Sequence, residues 1–99
     1  GDEAIEIVDD EFTTTETYDS PEVPPDYGVV GTGRNVSNST LDVFITTIFY
    51  DSDDVQLNSF ENSAPSVEPE GEFRFEAAYL NDDPDKIDYY EFEIEIFQP

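Results

Sequence analysis

The chemistry available to this chain is carboxylate chemistry. It carries 26 Asp and Glu against three Lys and Arg, and it has no His, Cys, Met or Trp. Paired carboxylates can do general acid–base work when they stand roughly 5–9 Å apart and one of them has a raised pKa. They can also gather hard cations such as calcium. Without imidazole or thiol there is no Ser–His or Cys–His nucleophile, no disulfide and no Cys or His metal site. With so many acids, pairs at a catalytic distance arise by accident, so proximity alone carries no information. A carboxylate on an inward strand face would be informative, and the alternation of residues puts none there. No catalytic residue, enzyme activity or cofactor is therefore assigned.

Two segments are rich in oxygen ligands. Asp51-Ser52-Asp53-Asp54 begins like a calcium loop but lacks the Gly and the distal Glu of that register. Asn81-Asp82-Asp83-Pro84-Asp85 is the other. Both read as turns, because Asp and Asn bond their own backbone two residues on. They predict loosely associated cations and no built metal site. Two N-x-[ST] sequons are present, Asn35-Val36-Ser37 and Asn38-Ser39-Thr40. Asn38 falls in a turn and is the candidate N-glycosylation site if the protein is exported. Asn35 reads as structural, its side chain bonding strand-end backbone.

The net charge of −23 narrows the partners. Bare nucleic acid and anionic membrane surfaces both require Lys and Arg. Direct membrane insertion would need about 20 consecutive apolar residues, and no run approaches that. Basic proteins and cations remain. The same charge opposes folding: two Glu about 7 Å apart repel by about 0.6 kcal/mol in water. At molar salt the Debye length shrinks to about 3 Å and the repulsion fades. Yet eight Phe and six Tyr argue for a packed core, and the acids are spread along the chain. The expectation is a folded domain, saturated with surface carboxylates and adapted to high salt.

Strands must position these groups, because the apolar spacing is period two almost throughout. Strands are predicted near Ala4–Val8, resuming through Phe12–Thr17, then at Tyr27–Val36, Leu41–Tyr50, Val55–Phe60, Glu72–Leu80 and Asp88–Phe97. Pro65 and Pro69 should bound a crossover, with Gly71 in a tight turn. Residues 1–4 read as a frayed tail. Tyr90, Phe92, Ile94 and Ile96 share an inward face, as do Phe73, Phe75, Ala77 and Tyr79, and Val43, Ile45, Thr47 and Phe49. The pattern predicts a single all-β domain over residues 1–99, an Ig-like antiparallel β-sandwich of six to seven strands. Phe44, Ile48 and Tyr50 lie on the opposite face of the third strand. Contiguous apolar surface there would mark a docking face for a partner or a second copy.

The order of short motifs resembles the FxLYD domain family. Val30-Gly31-Thr32-Gly33-Arg34-Asn35 looks like the family's V-x-G-x-V-x-N opening. Val43…Ile45…Thr47-Ile48-Phe49-Tyr50-Asp51 looks like its name motif and the turn after it. Glu68-Pro69-Glu70-Gly71-Glu72…Phe75 and Asp83-Pro84-Asp85…Tyr90-Glu91-Phe92-Glu93-Ile94 resemble its later segments. The likeness spans Ile5 to Ile96. Thr47 stands where the family has Phe, Phe49 where it has Leu, Gly33 where Val is usual, and Glu70 intrudes before Gly71. Gly33 should leave a gap, which the larger Phe49 is expected to fill. The resemblance implies an Ig-like sandwich, secreted or tethered to the cell surface, and supplies no catalytic residues. The expected role is a non-catalytic extracellular or cell-surface module for protein interaction or scaffolding, a monomer or weak homodimer. The alternatives are an acidic protein that occupies basic sites as a nucleic-acid mimic, or a passive spacer in a tethered protein.

Overall fold

The alternation resolves into two three-stranded antiparallel sheets. The computed structural model describes residues 4–15, 26–79 and 84–98. In chain order the strands are β1 (Ile5–Thr15), β2 (Asp26–Asn35), β3 (Leu41–Tyr50), β4 (Gln56–Val67), β5 (Glu72–Tyr79) and β6 (Tyr89–Phe97), with a 3-10 turn at Pro84–Lys86 before β6. One sheet has the order β1-β2-β5 and the other β4-β3-β6. Their apolar faces meet as a β-sandwich, with Val29, Val43, Ile45, Phe49 and Ala77 fully enclosed between them.

Several features differ from the expected ones. β1 is continuous, and its apparent interruption is a bulge where the register with β2 shifts between Ile7 and Asp9. β4 continues past Phe60 and through Pro65, which was expected to start a crossover. β4 is an edge strand, and Pro65 has no partner in its register with β3, so its missing N–H costs no ladder pair. The register shift opposite Leu41 and Val43 absorbs the local irregularity, and Ser66, at φ 53°, donates its N–H to Asp42 Oδ1 at 2.8 Å. In the turn from β4 to β5 the left-handed residue is Glu70, at φ 65°, and not Gly71. Ala4, inside the expected tail, is half-buried, and its carbonyl accepts from Val36 N–H at 2.8 Å.

Gly33 is not filled by Phe49. Register places Phe73 directly across from Gly33, and its ring tip fills the place where a Cβ would stand. Phe75 covers Gly31 in the same way. Aromatic rings laid over cross-strand glycines restore the packing that the glycines give up. Phe49 sits toward the other end of the core, edge-on to Tyr79 at 5.2 Å.

Asn35 ties the lower end of the sandwich together. It is fully buried. Its Nδ2 donates to the carbonyls of Ser39 at 2.8 Å and Val67 at 2.9 Å. Its Oδ1 accepts from the N–H of Ser37 at 2.9 Å and from its hydroxyl at 2.7 Å. Its backbone bonds Gly71 O and Glu70 N. The side chain thus ties the loop after β2 to the end of β4, and the backbone of the same residue holds the turn into β5.

Candidate functional site

β3 is the central strand of its sheet, so its outward side chains lie between those of β4 and β6. Phe44 stands between Ser63 and Glu95, Ile48 between Ser59 and Glu91, and Tyr50 between Gln56 and Tyr89. Phe97 packs edge-on against Phe44, with centroids 5.6 Å apart, and Tyr89 stacks on Tyr50 at 4.9 Å. Phe44, Ile48 and Tyr50 therefore share one face, but Ile48 is only 6% exposed and the two aromatics are half-buried. Glu91, Glu93 and Glu95 run along one side of this file and Glu61 lies on the other. Partial burial, and then the charges of Glu91 and Glu93, push the Tyr50 phenol up.

Exposed apolar surface also lies on the side of the sandwich where β1 faces β6. On the opposite side the sheets are drawn together: the 68–71 turn joins β4 to β5, and Asn62 Nδ2 donates to Glu76 O at 2.9 Å. Between β1 and β6 they part around an open groove of about 760 Å³. Ala4, Ile5 and Ile7 form one wall, Phe92, Ile94 and Ile96 the other, and Glu6 and Glu91 stand at the rim. Ile94 is 36% exposed and Ile96 42%. Alternation gave Ile94 and Ile96 their inward direction. It could not show that the facing sheet stops short of them.

The upper end of the groove is spanned by one hydrogen bond. Tyr90 Oη donates to Asp10 Oδ2 at 2.6 Å. Alternation had placed no carboxylate on an inward face; the bulge after Ile7 shifts the parity of β1 and turns Asp10 toward β6. Burial, and then the bond to Asp10, push the Tyr90 phenol up to about 12. Tyr89 donates to Asp54 Oδ1 at 2.7 Å, and that bond pushes its phenol up to about 12 as well. Both phenols are held as protonated donors, which suits a structural tie and not proton transfer near neutral pH.

The acidic segments behave as turns where they are described. Asp51 Oδ1 accepts from Asp53 N–H at 2.8 Å and Val55 N–H at 3.0 Å. Asp54 takes the left-handed position of that hairpin, at φ 63°. Among the described residues no group of three or more acids is placed to hold a metal ion. Asn81, Asp82 and Asp83 lie outside the described residues. Of the two sequon residues, Asn38 is exposed on the loop after β2, while both Nδ2 protons of Asn35 are engaged in the interior. No family model, curated protein or solved structure matches the chain.

Proposed function

We propose that the chain is a non-catalytic protein-interaction module of the FxLYD type, adapted to high salt and working outside the cell or at its surface. The observation that carries the interaction reading is the open β1/β6 edge, where Ile94 and Ile96 stay exposed in a groove whose other wall is Ala4, Ile5 and Ile7. The charge supports the solvent reading. Asn35 and Thr47 are the buried polar side chains among the described residues, so none of the described carboxylates is buried. Salt screens their mutual repulsion.

The test is site-specific photo-crosslinking in molar KCl, in the cells that make the protein. A photoreactive side chain at residue 94 should give discrete adducts, and the same group at residue 53, on the hairpin tip, should give none. Equal adducts at both sites, or none at either, would leave a passive spacer. A partner that leaves as salt rises, with adducts along Glu91, Glu93 and Glu95, would make the chain an acidic occupant of basic sites.

A further inference from the structure

The strand order says what shape of ligand the open edge fits. An immunoglobulin-type sandwich sets strands A, B, E and D in one sheet and C, F and G in the other, with C′ added beside C in some members. Here β1, β2 and β5 take the A, B and E places, and β4, β3 and β6 take C′, C and F. The G place lies beside F, along the outer edge of β6. Among the described residues no strand pairs with that edge. The groove runs beneath the same line, with Ile94 and Ile96 on β6 facing Ile5 and Ile7.

Of the two edges that flank the groove, β6 is the better template. Its ladder to β3 runs from Tyr89 to Phe97 without a register shift. The bulge between Ile7 and Asp9 breaks the regularity of β1 and blunts it as an edge. A strand beside β6 would set every second side chain into the groove. The intervening ones would lie next to Glu91, Glu93 and Glu95, on the solvent side of the sheet.

We infer that the outer edge of β6 accepts an extended segment of a partner protein as an added strand, one in which apolar residues alternate with Lys or Arg. This rests on the interaction reading above and narrows it to one mode of binding. A second copy of the chain is a poor occupant. Two β6 edges laid together would oppose Glu to Glu, between molecules that each carry a charge of −23. A basic segment meets the acidic row with the opposite sign. Its backbone bonds and apolar contacts survive high salt, where the charges contribute mainly to register and choice of partner.

The experiment uses the whole chain in molar KCl and a short, end-blocked peptide alternating Val and Lys. Calorimetry should show binding, and amide exchange should slow along β6. Three changes should each weaken binding by about tenfold or more: methylation of alternate peptide nitrogens, replacement of Lys by Glu in the peptide, and the Ile94→Thr, Ile96→Thr double variant with an unchanged far-UV spectrum. No binding, or equal binding of the N-methylated peptide, would overturn strand addition. So would equal binding of the Glu peptide, or protection along β1 in place of β6. Discrete adducts at residue 94 alongside any of these failures would leave the interaction module standing with a different mode of docking.

Discussion

The two sides of the sandwich are built on opposite terms. On the β4/β5 side polar groups hold the sheets together: Asn35 bonds both carbonyls it can reach, Asn62 crosses to Glu76, and the 68–71 turn joins the strands directly. On the β1/β6 side apolar residues line a gap, which the Tyr90–Asp10 bond spans at its upper end. One side spends its polar groups on closure and the other leaves apolar surface in solvent. Folding has no use for that surface, which is why binding is sought there.

The contrast can be broken most readily at Asn35. Asn35→Ala removes four side-chain hydrogen bonds, one of them to the buried end of β4, so it should destabilise by roughly 3 kcal/mol. That is a large share of the roughly 5–15 kcal/mol a domain commands. Urea unfolding in molar KCl measures it, and a loss near zero would mean that the closed side is not held by this hub. Thr47 lies between the two sides, fully buried, and its Oγ1 has no hydrogen-bond partner. Thr47→Val should stabilise by about 1 kcal/mol in the same assay, because an unpaired hydroxyl leaves the core.

On the open side the effects should be smaller. Tyr90→Phe removes the bridge to Asp10 and should cost about 0.5–1 kcal/mol at neutral pH. It should also change the alkaline limb. The phenol titrates near 12 when folded and near its ordinary value of about 10 when unfolded. Its contribution is therefore complete below about pH 10 and is lost as pH rises toward about 12. Thermal melts across that window, followed with tyrosinate absorbance, should show a shallower decline in the variant, with the Tyr89 part remaining. The smallest effect belongs to Ile94→Thr and Ile96→Thr. Exposed side chains lose little on truncation, so each should cost no more than about 0.5 kcal/mol. Losses of several kcal/mol would show that this edge is core after all, and the comparison would collapse.

Local pattern determined a good deal of this protein. The pleat alone assigned β3 from Leu41 to Tyr50 and the inward direction of Val43, Ile45, Thr47 and Phe49. Side-chain chemistry alone marked Asn35 as structural and Asp51 as a turn former. Composition alone put the acids on the surface, since a lone carboxylate cannot be buried cheaply. Tertiary structure decided the rest. Phe73 covers Gly33 because register, set by strands far apart in sequence, puts it opposite. Asp10 faces β6 because one bulge shifts the parity of everything after it. Ile48 is enclosed because its strand lies in the middle of a sheet, while Ile94 and Ile96 are exposed because theirs lies at an edge. Alternation is a property of neighbouring residues and gives only the direction in which a side chain points. Whether anything lies above it depends on how far the other sheet extends.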